Sequence, residues 1–235
     1  MDTSIAFLNL LFFGILPYVA LFTFFLVTIQ RYRMQRFTYS SLSSQLLENQ
    51  DHFWGLVPFH YGILTVLGGH IIAFLIPAQV LAWNRVSLRL YVVEITMLIG
   101  GVLTLVGLVS LVLRRFRNSK VRRVTTVPDW ILYALLVVQV ASGLTVALVY
   151  PWGSSWFAAT AAQYLRSIVM LNPDLSYVSA VPFFVKLHIV NAWLVIGFFP
   201  FTRLVHILVV PNPYLWRKPQ VVRWNWNRRN IRNVD

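Results

Sequence analysis

Long apolar runs separated by short polar segments dominate the pattern along this chain. Five such runs cover about Ile5–Ile29, Trp54–Ile76, Leu88–Leu113, Pro128–Tyr150 and Val181–Val210. Each is long enough to cross a bilayer as a helix, because a hydrocarbon core of ~30 Å needs roughly 20 helical residues. The pattern therefore predicts an all-α integral membrane protein with five transmembrane helices.

The composition agrees with this fold class. Of the 235 residues, 58% are hydrophobic and 11% are charged, and the mean hydropathy is +0.67, which is too apolar for a soluble domain of this length. The first run has no basic flank before it and no small-residue cleavage site after it, so we expect a retained helix rather than a signal peptide. We expect a five-helix membrane domain over residues 1–210 and a basic, tryptophan-rich tail over residues 211–235.

The basic residues lie mainly on one predicted side of the membrane. Most basic residues follow the first and third runs or follow or close the fifth: Arg31, Arg33, Arg36, Arg114, Arg115, Arg117, Lys120, Arg122, Arg123, Arg203, Arg217, Lys218, Arg223, Arg228, Arg229 and Arg232. The opposite segments hold only Arg85, Arg89 and Arg166, with Lys186 just inside the fifth run. The positive-inside rule then predicts an outer N-terminus and a cytoplasmic C-terminus. The net charge of +13 fits this topology with anionic lipid contact, or docking of a cytoplasmic partner, rather than binding of nucleic acid.

Several kinds of chemistry are excluded by what the chain lacks. There is no cysteine, which rules out disulfides, iron–sulfur clusters and covalently attached haem. Of the seven acidic residues, only Glu94 lies in the interior of an apolar run, so no carboxylate cluster for a metal is expected. Candidate chemistry therefore depends on histidine.

Four of the five histidines lie in two of the apolar runs. His60 and His70 are ten residues apart in the second run, and His188 and His206 are eighteen apart in the fifth. These spacings correspond to ~15 Å and ~27 Å of helical rise, with both members of each set on one face. Because the two helices run in opposite directions, depth pairs His60 with His206 and His70 with His188. Helix tilt or an irregular turn would absorb the difference in rise.

Two imidazoles on facing helices can ligate one haem iron from both axial sides, so the pairs predict two non-covalent haems between helices two and five. His52 also lies eighteen residues before His70, but its surroundings, "LENQDHFW", are polar, and we interpret it as an interfacial histidine. The other interpretation of all four histidines is that they are hydrogen-bonded packing residues of a channel or scaffold.

Glycines and cations beside these histidines have two interpretations each. Gly62, and Gly68 with Gly69, leave room for a flat macrocycle or a quinone, or else allow close helix packing. Arg203 and Lys186 are candidate partners for haem propionates, or else they extend towards the membrane interface.

The histidine-bearing stretches "FHYGILTVLGGH" (Phe59–His70) and "VKLHIVNAWLVIGFFPFTRLVHILVVP" (Val185–Pro211) resemble the γ subunit of respiratory nitrate reductase, a cytochrome b. The resemblance extends to "FLNLLFFGILPYVA", "TYSSLSSQLL", "RRFRNSKVRRVTT" and "VPNPYL", and so covers nearly the whole chain. It includes the five-helix layout and the same histidine spacings.

The resemblance implies two haems b in a multi-pass protein of a prokaryotic cytoplasmic membrane. His60 and His206 would hold the inner haem, and His70 and His188 the outer haem. Quinol would be oxidised beside the outer haem, at a site that includes Arg89, Gly69 and His70. Electrons would pass to an iron–sulfur subunit and then to a molybdenum-cofactor subunit that reduces nitrate. The same cytochrome could instead serve nitrite oxidation in reverse, or a sulfur-compound or heterodisulfide reductase.

The chain departs from the family at two positions. Arg89 stands where the family's quinol site has a lysine, and these side chains are not interchangeable at a tight site. Glu94 stands where relatives have an apolar residue, and it would be either a charge partner for Arg89 or Arg85 or a proton acceptor near the quinol.

Overall fold

A computed structural model of the chain describes residues 3–34 and 50–208, and all regular elements in these ranges are helical. Five helices are long and apolar enough to cross a membrane. In chain order they are α1, Thr3–Met34, which includes the π-helical turn Leu10–Ile15; α2, Gln50–Leu75; α3, Ser87–Arg117; α4, Val127–Val149; and α5, Phe183–Phe198, whose span continues through a short turn to Phe201. The prediction of an all-α fold with five such helices is confirmed for the described residues.

Some predicted features lie outside the described residues. Residues 35–49 contain Arg36 and the stretch "TYSSLSSQLL", and residues 209–235 contain "VPNPYL" and the whole predicted tail. Position 52 belongs to α2, but the side chain of His52 is also outside the described part.

Short helices fill the segments between the spans. Pro77–Trp83 follows α2, and Ser119–Arg123 joins α3 to α4. The long segment between α4 and α5 contains Gly153–Trp156, the π-helical turn Phe157–Ala161, Ala162–Val169 and Ser176–Ser179. This segment packs back onto the bundle. Its Tyr164 hydroxyl donates to the Phe13 carbonyl of α1 at 2.7 Å.

Along the series α1, α5, α4, α3 and α2, each spanning helix packs against the next. The closest crossing joins α2 to α3 through glycines. A Cβ at Gly62 would lie 2.5 Å from the carbonyl oxygen of Gly100, and a Cβ at Gly107 would lie 2.4 Å from the backbone nitrogen of Phe59. Small residues allow this approach, as is usual between membrane helices. Of the two interpretations of Gly62, room for a macrocycle or quinone and close helix packing, the structure therefore supports close helix packing.

The fifth helix ends earlier than the apolar run predicts. Helix α5 stops at Phe198, and two 3-10 turns follow, Phe199–Phe201 and Arg203–Ile207. Pro200 lacks a backbone N–H, and Thr202 between the turns is extended, at φ −113° and ψ 175°. The Thr202 hydroxyl donates to the Phe199 carbonyl at 2.8 Å and accepts from the Leu204 backbone N–H at 3.1 Å. The unequal histidine spacings had been explained by helix tilt or by an irregular turn, and the structure contains an irregular turn before His206.

Candidate functional site

The four membrane histidines approach one another in two pairs. The ring centres of His60 and His206 are 6.2 Å apart, and those of His70 and His188 are 6.4 Å apart. The pairs join α2 to α5 and its C-terminal extension, although these helices are linked through α3 and α4. Aromatic rings flank both pairs: Phe59 lies 5.5 Å from His60, and Phe157 lies 5.0 Å from His70, centre to centre.

Carbonyl oxygens three or four residues earlier in the chain orient three of the four rings. The Nδ1 atoms of His60 and His70 lie 2.8 Å from the carbonyl oxygens of Leu56 and Val66, and that of His206 lies 2.7 Å from the Arg203 carbonyl oxygen. A carbonyl only accepts, so Nδ1 carries the proton and Nε2 keeps a lone pair. This tautomer is the one that metal-ligating histidines adopt.

The ring separations fit a haem iron between each pair. An imidazole nitrogen bonds a metal at about 2.0–2.1 Å, so two imidazoles on opposite sides of one ion have ring centres about 6 Å apart. Both observed separations agree with this value. The described residues contain no group of three or more histidine, aspartate or glutamate side chains able to hold a bare metal ion. Two-ligand sites of this kind suit an iron whose other ligands come from a macrocycle.

Helix α4 supplies contacts that the sequence interpretation missed. The Gln139 carbonyl oxygen and the Ser142 hydroxyl each lie 3.1 Å from Nδ1 of His188. Ser142 is buried, as is Asn191 on α5, which donates to the Gln139 side-chain oxygen at 2.7 Å. The available signal was the presence of these polar residues within apolar runs, since such residues are costly in a membrane and often functional.

Arg203, a predicted propionate partner, forms an ion pair with α4. Its Nε donates to Asp129 at 2.8 Å, and one terminal nitrogen donates to Asp129 at 3.0 Å and to the Val124 carbonyl at 2.9 Å. Asp129 also accepts from the Thr126 backbone N–H at 2.9 Å, at the start of α4. These bonds tie the short segment that carries His206 to the α3–α4 connection.

Further arginines surround this ion pair. Arg114 and Arg115 are buried at the end of α3, and the guanidinium of Arg115 lies 4.4 Å from the centre of the Tyr133 ring. The pair formed by His60 and His206 therefore lies at the strongly basic end of the bundle. Lys186, the other predicted propionate partner, lies at the opposite end and donates to the Ser179 carbonyl at 2.7 Å.

The residues predicted to bind quinol lie along α2 and α3 at the end of the bundle that carries His70. A Cβ at Gly69 would lie 2.4 Å from the side chain of Met97, so Gly69 faces α3, whereas a Cβ at Gly68 would meet no atom within 4 Å. The Arg89 guanidinium lies 4.9 Å from the Trp83 ring centre, two turns before Met97. Of the three predicted residues, His70 is the one that is itself a member of a histidine pair.

Glu94 interacts with a serine rather than with an arginine. Its carboxylate accepts from the backbone N–H of Ser154 at 2.8 Å and from the Ser154 hydroxyl at 2.6 Å. Asn84 donates to Ser154 and Ser155 at 2.9 Å. The Glu94 carboxylate therefore anchors the segment that follows α4; its two predicted roles, as a charge partner for Arg85 or Arg89 or as a proton acceptor, stay predictions.

An apolar cavity of about 240 Å³ lies at this same end, between α4 and the start of α5. Its lining includes Val185, one turn before His188, and the complete set is Val146, Tyr150, Pro151, Gly153, Trp156, Pro182 and Val185. Gly153 also adjoins Glu94, because its Cβ would lie 3.6 Å from a carboxylate oxygen. An apolar cavity with one carboxylate nearby could accept part of a hydrophobic molecule.

Comparison with known proteins identifies the chain's relatives. A family described as "Nitrate reductase gamma subunit" matches residues 9–225. The chain is 34% identical to the nitrate reductase gamma chain of Bacillus subtilis, over 89% of this chain and 96% of that one. It is also 34% identical to the respiratory nitrate reductase 2 and 1 gamma chains of Escherichia coli, over 93% and 92% of this chain and 98% of each relative. The chain therefore belongs to the nitrate reductase gamma subunit family, whose members are membrane subunits of an oxidoreductase complex.

Proposed function

We propose that this protein is the dihaem cytochrome b subunit of a membrane-bound nitrate reductase. In this role it oxidises membrane quinol near the outer face and delivers the electrons to a cytoplasmic iron–sulfur subunit, which serves a molybdenum-cofactor subunit. The observation that carries the proposal is the pair of histidine sites, with ring centres 6.2 and 6.4 Å apart. Family membership supports the identity of the complex.

The four histidines would hold the two haem irons. His60 and His206 would hold one haem b, and His70 and His188 the other. When bound, haem b supplies a one-electron carrier whose potential depends on its ligands and on their hydrogen bonds. The carbonyls of Leu56, Val66 and Arg203 hold three of the rings with Nε2 free to bind.

The charge distribution supports the proposed orientation. The inner pair lies at the end of the bundle where Ser119–Arg123 and the arginines at the end of α3 are found. The positive-inside rule assigns this end to the cytoplasm. The iron–sulfur subunit would dock there, and quinol would enter at the opposite end, beside His70. The protein would thus reside in the cytoplasmic membrane of a prokaryote.

A spectroscopic measurement tests the proposal directly. Purified complex containing this subunit is expected to hold two haems b per copy of the chain. A pyridine haemochrome assay, combined with subunit quantification, gives this ratio. One haem per copy would contradict the two-site arrangement, and the absence of haem b would refute the redox function altogether.

Replacing Arg89 by alanine is expected to reduce kcat/KM for quinol by about 10- to 150-fold, because a hydrogen bond to a charged group contributes about 1.5–3 kcal/mol. Both haem spectra should remain normal, since Arg89 lies beside Trp83 rather than in a histidine pair. Arg89→Lys keeps the positive charge and should lose less. Steady-state kinetics with a soluble quinol analogue would measure the change.

Arg85→Ala provides a matched control, because it removes an arginine from the same outer connection. Glu94→Gln should have a milder effect on kcat/KM than Arg89→Ala, unless Glu94 accepts the quinol proton, in which case turnover falls more than binding. Unchanged quinol kinetics in Arg89→Ala would exclude this arginine from the site.

A further inference from the structure

We propose that helix α4 positions the outer ligand His188 and thereby sets the reduction potential of the outer haem independently of the inner one. The inference rests on the proposed function and adds to it three positioning residues, Ser142, Gln139 and Gly143. None of them ligates the iron in this proposal. They act on it through the imidazole of His188.

His188 differs from the other three histidines in how its ring is held. His60, His70 and His206 each bond a carbonyl within their own helical turn, three or four residues earlier. Nδ1 of His188 instead lies 3.1 Å from two oxygens of α4. The orientation of this ring therefore depends on the packing of α4 against α5.

The direction of each hydrogen bond follows from the local donors. The Ser142 hydroxyl lies 2.7 Å from the Val138 carbonyl and 3.1 Å from the Gln139 carbonyl, so its one proton is used within α4. Its oxygen is then an acceptor for the Nδ1–H of His188. The Gln139 carbonyl is a second acceptor for the same proton. Nδ1–H is thus shared between two oxygens, and Nε2 keeps a lone pair, to which the Gln139 amide nitrogen can donate at 3.1 Å until a haem iron takes its place.

Two further contacts restrict rotation of the ring. A Cβ added at Gly143 would lie 2.9 Å from Cε1 of His188 and 3.3 Å from Nδ1, so any larger residue would displace the imidazole. The Gln139 amide nitrogen lies 3.3 and 3.1 Å from the two ring nitrogens. Asn191, itself buried, holds that amide by donating to its oxygen at 2.7 Å.

The electronic consequence follows from ligand basicity. Acceptors at Nδ1–H increase electron density on the imidazole and raise its basicity towards the metal. A more basic ligand stabilises the oxidised iron and lowers the reduction potential. His60, His70 and His206 each have a carbonyl acceptor of their own, but the contribution of Ser142 and Gln139 reaches only the pair that contains His188.

Ser142→Ala in the full complex tests the proposal. Potentiometric titration, followed by optical and electron paramagnetic resonance spectra, is expected to show a positive shift in the midpoint potential of the outer haem alone. Ser142→Thr keeps the hydroxyl and should restore the original potential. Ser110→Ala is the matched control, because that hydroxyl donates to the Val106 carbonyl of its own helix and should change neither potential.

Gly143→Ala provides a second, steric test that does not depend on the serine. Displacement of the His188 ring is expected to alter or abolish the resonance signal of the outer haem and leave the inner signal unchanged. Gly101→Ala is its control, because the added Cβ would meet the flexible tip of Leu144 at the same 2.9 Å.

The outcomes separate this inference from the proposed function. An unshifted outer potential in Ser142→Ala would overturn the inference, as would equal loss of the outer haem in Ser142→Ala and Ser142→Thr. Loss of that haem in Ser142→Ala with retention in Ser142→Thr would support it. The absence of haem b from the complex that carries no substitution would instead refute the proposed function.

Discussion

Replacing His70 or His188 by alanine is expected to lower the haem content from about two to about one per chain, because this site would lose one of the two residues that would hold its haem. The two rings face each other at 6.4 Å between centres, so removal of either has the same result. Quinol oxidation should be lost in both variants, since the remaining pair lies at the opposite end of the bundle. Haem quantification and quinol-dependent nitrate reduction would measure the two effects.

The electron paramagnetic resonance spectrum provides the control for this experiment. The signal of the inner haem should persist in His70→Ala and His188→Ala, which shows that the bundle still assembles. If the two variants lost different haems, the pairing of His70 with His188 would be wrong.

Replacing His60 or His206 by alanine is expected to interrupt the pathway at its inner end. Both variants should keep the outer haem, reducible by quinol, but should lose quinol-dependent nitrate reduction. The reason is geometric, since the inner pair is the one at the basic end where the iron–sulfur partner would dock. Stopped-flow reduction of the haem with quinol, followed by a turnover assay, separates the two steps.

His52→Ala is the comparison for this second set. It should retain both haems, because His52 lies in a polar stretch and was not expected to ligate iron. Loss of a haem in His52→Ala, with both retained in His60→Ala, would show that the ligand assignment in α2 is incorrect. Nitrate reduction with a reductant that donates directly to the partner subunits should remain normal in all these variants.

The predicted spans agree with the structure because long apolar runs have few alternatives in a membrane. The bounds of α3 and α4 differ from the predicted runs by at most four residues at each end. The fifth run was misjudged, because hydropathy continues through Pro200 and Thr202 although the helix ends at Phe198. Apolar composition indicates burial in lipid, and it does not reveal where backbone hydrogen bonding changes.

The candidate site shows the same division between what a pattern indicates and what packing decides. The depths of the four histidines followed from their positions in two antiparallel runs, and the structure brings together the corresponding rings. The contacts of Ser142 with His188, of Glu94 with Ser154 and of Arg203 with Asp129 could not be inferred in this way. Each joins segments far apart in sequence, and each depends on how one helix is rotated relative to its neighbour.

The sequence by itself determined the five helices, their alternating directions and the depth of each histidine, because these depend on local hydropathy, charge and helical rise. The tertiary structure decided which faces meet. It brings Gly62 against α3 and turns Gln139, Ser142 and Gly143 towards His188. The physical reason is that helix rotation and crossing are selected by side-chain shape and polar pairing across the whole bundle, which no single run of residues specifies.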